Sequence, residues 1–164
     1  MYKDKSKPYS DQKNWSNTYL TDPKLIELLG PFDLDPCCPE NMPWQTAARM
    51  VTEKEDGLSF HWNNDRVFMN PPYRGVMKWA DKFVNAKCGI ALLNGRATET
   101  KAVQLIMHYS SCIWFPEGRL TFYKIDGSPW EQKWFPSLLI GMKTFDQIQI
   151  QKAQKIYGGQ VYFK

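Results

Sequence analysis

Residues 70–73, Asn-Pro-Pro-Tyr, bring together groups suited to one kind of chemistry. The Asn70 side chain offers a carbonyl acceptor. The Pro71 backbone carbonyl is a second, held in direction by two ring-locked residues, Pro71 and Pro72. Tyr73 supplies a flat aromatic face. Two neighbouring acceptors match the two hydrogens of an –NH2 group, and a ring face alongside matches a planar ring carrying that amine. An exocyclic amine on a nucleobase is a weak nucleophile, because its lone pair is delocalised into the ring. Acceptors drawing on both hydrogens favour a more tetrahedral nitrogen, whose lone pair can attack an electrophile. This is polar stabilisation arranged in advance for the transition state. It needs no strong base, so neither His61 nor His108 has to take part. A base inside a duplex cannot enter such a pocket; it would have to be flipped out and stacked on Tyr73. The plainer reading is that these four residues are a turn that ends a strand.

That turn needs a strand before it. Val67, Phe68 and Met69 read as the end of a buried strand, and neither proline has an N–H with which to continue a ladder. The strand therefore stops at Asn70, and a rigid loop holds the residues after it. Upstream, Thr21 or Asp22 caps a helix that has Pro23 at its first position and Gly30 at its end. "FDLD" (32–35) alternates as a short strand stopped by Pro36. "NMPWQTAARM" (41–50) is expected to contain a helix, and "DGLSFHWNNDR" (56–66) is turn-rich. Apolar residues at 76, 77, 79, 80, 83 and 84 give "GVMKWADKFVNA" helical spacing. "CGIALLN" reads as a strand, "TETKAVQLIMHY" as a capped helix and "CIWF" as a strand. "RLTFYK" reads as extended, "PSLLIGM" as a buried strand and "GQVYFK" as a closing edge strand. "TFDQIQIQKAQKIY" fits either a helix or a strand. Strands alternating with helices predict an α/β fold, with a mostly parallel sheet and helices on both faces. Ligands in such folds sit beyond the carboxyl ends of the strands, where Asp35 and Asn70 fall.

The chain has 164 residues, enough for one domain with a proper core. Residues 17–164 are expected to form that domain, and residues 1–16 a flexible arm whose Lys3, Lys5, Lys7 and Lys13 either touch phosphates or are simply solvated. Seven tryptophans among 15% aromatic residues point to packing or stacking surfaces. The net charge of +4 permits an anionic partner without requiring one. Beyond residue 131, Lys133, Lys143, Lys152, Lys155 and Lys164 face one acid, Asp146, and this basic region either lies on phosphates or is solvated. No apolar run reaches the roughly 18 residues of a membrane span, and the polar N-terminus has no secretory core, so a cytoplasmic location is expected. Cys37 and Cys38 are adjacent rather than spaced as Cys-x-x-Cys, and the histidines are two, so no metal site is expected. Cys37, Cys38, Cys88 and Cys112 are expected to be free thiols packed as small apolar groups.

Taken in order, "YLTDPKLIELL", "FDLDPCCPEN", "EDGLSFHW", "VFMNPPY", "ALLNGRATET" and "IWFPEGRLTF" resemble the amino-methyltransferases that use S-adenosylmethionine. They look most like the compact phage-type DNA N6-adenine methyltransferases, the Dam-like family, over residues 18–125. The resemblance implies a Rossmann-like S-adenosylmethionine-dependent methyltransferase fold. It puts the methionine end and sugar of the cofactor near Thr21, Asp35, Pro36 and Cys37, and its adenine near Asp56, Gly57 and Leu58. Asn70, Pro71, Pro72 and Tyr73 would hold the target base, Asn70 also lying against the cofactor. By the same resemblance, the tyrosine of Asn-Pro-Pro-Tyr leans toward adenine N6; Ser-Pro-Pro-Tyr is more usual for cytosine N4. Arg74, Arg96 and Arg119 would meet DNA, and the biological use implied is marking phage or mobile-element DNA, for instance against restriction. No separate target-recognition segment is visible, which leaves sequence specificity short or loose unless another subunit supplies it. One departure stands out: many relatives follow Asp-Pro with a glycine-rich turn that admits the cofactor, and "DPCCPENMP" has no glycine. Two other readings remain open. The acceptor amine belongs to cytosine N4, RNA or a protein glutamine; or the chain is a relic that binds nucleic acid without catalysis.

Overall fold

Along the strands, apolar side chains alternate between two faces, and both faces are buried. A computed structural model describes residues 18–131 and 135–164. The arm expected over residues 1–16, and Lys133, lie outside them. The elements in chain order are β1 (Leu20–Thr21), α1 (Pro23–Leu29), β2 (Leu34–Asp35), β3 (Arg49–Met50), β4 (Val67–Met69), α2 (Val76–Ala86), β5 (Gly89–Asn94), α3 (Lys101–Tyr109), β6 (Cys112–Phe115), β7 (Phe122–Tyr123), β8 (Ser137–Gly141), α4 (Thr144–Tyr157) and β9 (Gln160–Phe163).

Seven strands form one sheet in the order β3-β2-β4-β5-β8-β6-β9. β3, β2, β4 and β5 are parallel neighbours. β8 runs antiparallel between β5 and β6, and β9 runs antiparallel to β6. β6 therefore points the same way as β5, and only β8 and β9 oppose the rest. The sheet is mixed: mostly parallel in strand direction, but antiparallel in its pairings from β5 outward. β1 and β7 form a separate antiparallel pair, with Leu20 opposite Tyr123 and Thr21 opposite Phe122.

The alternation fixes two helical layers. Val67, Met69, Ala91, Leu93, Ile113, Leu138 and Ile140 pack against Trp79, Ala80 and Phe83 of α2 and Ala102, Val103 and Ile106 of α3. Phe68, Ile90, Leu92, Cys112, Trp114 and Leu139 pack against Leu25, Ile26 and Leu29 of α1 and Ile150 and Ala153 of α4. Each large apolar side chain among them contributes about 1.5–3 kcal/mol by leaving water. Helices thus cover both faces, as expected.

Helix boundaries follow local chemistry. The Asp22 carboxylate accepts from the Lys24 N–H at 2.9 Å, Pro23 opens α1, and the Gly30 N–H closes it onto Ile26. The Thr100 hydroxyl accepts from the Val103 N–H to start α3. The ambiguous segment 144–157 is helix α4, because Asp146 caps its first turn and Gly158 ends it. The helix expected within residues 41–50 does not form. Pro43 interrupts the segment, Asn41 takes a left-handed φ of 58°, and Thr46 bonds to Asp35. The segment is a loop that runs into β3, a two-residue strand that the alternation pattern did not reveal.

Away from the carboxyl ends of the parallel strands, one buried ion pair ties four elements together. The Asp146 carboxylate accepts from Arg66 Nε at 2.8 Å and from the backbone N–H groups of Gly89, Met142 and Lys143. The Arg66 guanidinium also donates to the Pro31 and Leu29 carbonyls and lies over the rings of Phe32 and Phe145. Among the described residues no helix is long and apolar enough to cross a membrane.

Candidate active site

The carboxyl ends of β2, β4 and β5 and the start of β8 meet at one edge of the sheet, and a cavity of about 800 Å3 opens there. Thr21, Asp35, Pro36, Cys37, Asp56, Asn70, Pro71, Pro72 and Tyr73 all line it. The residues expected from the sequence to handle cofactor and target base therefore share one wall, although they come from β1, the loops after β2 and β4, and the 52–62 loop. Arg74 lines it too. Arg96 and Arg119 do not. Arg96 is exposed in a short turn between the lining residues Asn94 and Ala97, and Arg119 is exposed beyond the end of β6.

Asp35 ends β2 and is only 4% exposed. Its carboxylate accepts from the Cys37 N–H at 3.0 Å and from the Thr46 hydroxyl at 2.5 Å. Burial outweighs those two bonds and pushes its pKa up to about 6. Burial also raises the Cys37 thiol well above its ordinary range, so that side chain is a neutral part of the wall.

The 52–62 loop closes on Asp35 from the other side. Asp56 takes a left-handed φ of 54°, and its carboxylate accepts from the Leu58 N–H at 3.0 Å. Gly57 then comes so close to Pro36 that a Cβ there would lie 2.0 Å from the Pro36 carbonyl oxygen. Only glycine permits that approach. The Trp62 indole donates to the Gly57 carbonyl at 2.8 Å, and Lys82 of α2 donates to the Leu58 carbonyl at 2.5 Å. Gly57 thus lets the 52–62 loop pack directly against the turn after Asp35.

Asn70 is fixed by the β1 segment. Its amide N–H2 donates to the Tyr19 carbonyl at 3.2 Å and to the Thr21 hydroxyl at 3.4 Å. Nothing among the described residues donates to its Oδ1, which is left as an acceptor. Tyr73 is 54% exposed and meets Phe135 edge-to-face with centroids 5.7 Å apart. Phe135, Phe122 and Trp130 in turn surround the Tyr19 ring at 5.5–6.1 Å. Burial, then the neighbouring Tyr19 phenol, pushes the Tyr73 pKa up to about 12, so its ring stays neutral.

Sequence reasoning missed Tyr19, Thr46, Phe122, Trp130 and Phe135. The one signal of the aromatic set was the high aromatic content, which gives no positions. His61 and His108 do not line the cavity. Among the described residues, the charged side chains that do are Asp35, Glu53, Asp56 and Arg74, a lining that favours cationic or hydroxyl-bearing ligands. The wall pairs an acceptor-bearing rigid loop with an aromatic face, beside a buried carboxylate.

Comparison with curated proteins and with solved structures gives no match. The family model for DNA N-6-adenine-methyltransferase (Dam) matches residues 6–148, most of the chain and all of the cavity's strand ends. By that match, the chain belongs to the DNA N-6-adenine-methyltransferase (Dam) family.

Proposed function

We propose that this chain transfers a methyl group from S-adenosylmethionine to the N6 amine of adenine in DNA, with the target base flipped out of the helix and held against Asn70–Tyr73. Membership of the family implies adenine methylation of DNA. The observation that carries the finer reading is the orientation of Asn70: its nitrogen is occupied by Tyr19 and Thr21, so its oxygen is the atom left to accept.

The cavity fits the cofactor. Its volume of about 800 Å3 falls within the roughly 300–1,000 Å3 usual for small-molecule and cofactor sites. Thr21, Asp35, Pro36 and Cys37 would hold the amino-acid and sugar portion, and Asp56 with Gly57 the adenine. The Asp35 carboxylate suits hydroxyl and ammonium groups, and Gly57 and Pro36, packed against each other, both line the cavity beside it. When bound, S-adenosylmethionine supplies a methyl group made electrophilic by a sulfonium. The sheet order, with one antiparallel strand inserted between β5 and β6, supports a Rossmann-like methyltransferase fold. Helices packed on both faces of one sheet support reading residues 17–164 as a single domain.

The chain's own groups then act on the amine. Asn70 Oδ1 and the Pro71 carbonyl accept its two hydrogens and draw the nitrogen toward a tetrahedral shape. Tyr73 stacks on the base, and Phe135 braces Tyr73 from the side. In the transfer, one N–C bond would form as the donor's S–C bond breaks, and the surplus proton would leave the nitrogen to water. No strong base is required, in keeping with two histidines that lie off the wall. Arg74, at the cavity edge, would meet the DNA beside the flipped base.

The test is transfer of labelled methyl from S-adenosylmethionine to unmethylated duplex DNA, followed by nucleoside analysis. N6-methyladenine made by the wild type and lost in Asn70→Ala is the expected result. Label in cytosine would keep the mechanism and change the substrate. No label, together with no cofactor binding by calorimetry, would leave a nucleic-acid-binding protein on a methyltransferase scaffold.

A further inference from the structure

Asn70 has two amide partners of unequal chemical freedom. The Thr21 hydroxyl accepts from Asn70 Nδ2, but a hydroxyl can turn and donate instead. The Tyr19 carbonyl, which accepts from the same nitrogen at 3.2 Å, can only accept. It is held in place by two features unrelated to Asn70. Leu20 and Thr21, just after it, pair with β7, and the Tyr19 ring is enclosed by Phe122, Trp130 and Phe135.

We propose that the Tyr19 carbonyl and the Thr21 hydroxyl are positioning groups that hold the Asn70 amide in one orientation, and that the Tyr19 carbonyl, which can only accept, makes position 70 selective for asparagine over aspartate. The proposal rests on the methyltransferase reading for its kinetic consequences, not for its structural ones. An aspartate at position 70 offers the same outward acceptor. Inward, it sets an oxygen against the Tyr19 carbonyl, acceptor against acceptor, with no donor between them. Protonation of that carboxyl restores an O–H where the N–H was.

The surroundings reinforce the direction. Asp35 is buried, and Glu53 and Asp56 are exposed like Arg74; among the described residues that line the cavity, these three carboxylates outnumber the one cation. The tyrosines and thiols there stay neutral. In the folded state, the carboxyl that Asn70→Asp introduces therefore has a pKa above the ordinary aspartate value of about 3.9. The variant's stability relative to wild type is preserved below that value and falls as pH rises, until the folded-state pKa is passed.

The test measures melting of wild type and Asn70→Asp from pH 4.5 to 8, alongside kcat for methyl transfer to unmethylated duplex DNA. A melting deficit that widens with pH is expected. So is a kcat reduced about 10-fold or more at pH 8 that recovers as pH falls, the scale of one lost polar arrangement at a reacting group. A melting curve that tracks wild type at every pH, or a kcat equal to wild type at pH 8, overturns the proposal. A widening deficit in a protein that methylates no DNA upholds the clamp and removes the methyltransferase reading; the reverse pattern removes the clamp alone. Should Asn70→Asp fail to fold at any pH, the Thr21 pair decides. Thr21→Val should lower kcat more than it changes the KM for DNA, with Thr21→Ser restoring it. Equal kcat in Thr21→Val and wild type overturns the clamp.

Discussion

Asp35 carries a carboxylate whose burial works against its charge, and this gives it a defined pH signature. Its folded-state pKa is raised from an ordinary value of 3.8 to about 6. The folded state therefore holds the proton more tightly than the unfolded chain between those values. Stability from this group is greatest near pH 4, declines as pH rises to 6, and is level above that. Asp35→Asn removes the effect: its oxygen still accepts from the Cys37 N–H, and its nitrogen donates to a reversed Thr46 hydroxyl. In the ligand-free protein the variant should be more stable than wild type at pH 8, by at most about 3 kcal/mol, with the gap closing toward pH 4. Urea denaturation across that range checks it, and calorimetry should show S-adenosylmethionine binding lost at every pH. A charged residue that destabilises its own fold is consistent with one retained for a ligand. Asp35, Asn70 and Tyr73 were legible because each sits where a strand must stop, beside a proline. Gly57 enters the sequence reading only through the resemblance, beside the cofactor's adenine, and not as a contact of Pro36. Its closeness to Pro36 joins segments about twenty residues apart, and no local pattern encodes that contact. Thr46 and Tyr19 were invisible for the same reason: one acts through a hydroxyl in a loop expected to be a helix, the other through its backbone carbonyl.

Helices α2, α3 and α1 follow their caps and apolar spacing, and β4, β5, β6 and β8 follow their unbroken apolar runs. Those signals survive because both faces of the sheet are buried. The ambiguous α4 shows where the signal runs out. Ile148, Gln149, Ile150 and Gln151 alternate as a strand would, and the choice is made by Asp146 and Gly158 at the ends. The antiparallel insertion of β8 was not legible either, because a long stretch of chain separates it from β6 and nothing in its own sequence fixes its direction. Asp146 does more than start a helix: it gathers Arg66 ahead of β4, Gly89 at the start of β5 and the turn before α4. Its side chain is fully buried beside an arginine only 9% exposed. Removing one member of such a pair leaves the other charged and unpartnered. Asp146→Ala should therefore cost about 3–5 kcal/mol, seen as a fall in Tm of about 10 °C or more. Thermal unfolding followed by circular dichroism measures it. A change under about 1 kcal/mol, the scale of an exposed pair, would mean that Arg66 is satisfied by the Pro31 and Leu29 carbonyls alone.

At the scale of the whole molecule, charge is sorted by position. The chain carries a net +4, yet among the described residues the cavity lining holds three carboxylates, Asp35, Glu53 and Asp56, against one arginine, Arg74. Among the described residues, then, the site is net acidic within a chain that is net basic. On the proposed reading, such a layout would disfavour phosphates in the cavity and suit a cationic cofactor and an uncharged base, while the net positive chain would attract a polyanion. The arginines near the opening differ in what they can reach. Arg74 borders the cavity, Arg96 sits on a turn between two of its lining residues, and Arg119 lies off the wall beyond β6. On the proposed reading, duplex DNA that delivers a flipped base to Asn70 would pass Arg74, which lines the cavity, and Arg96, on the turn beside it. Fluorescence anisotropy on an unmethylated duplex over a range of salt concentrations turns this into a count, because each phosphate contact contributes about one to the slope of log K against log salt. Arg74→Ala and Arg96→Ala should each weaken binding and lower that slope by about one, with Tm unchanged. A slope lowered equally by Arg119→Ala would extend the DNA footprint across the end of β6. Slopes unchanged in both Arg74→Ala and Arg96→Ala would place the duplex elsewhere and require the base to enter the cavity from another side.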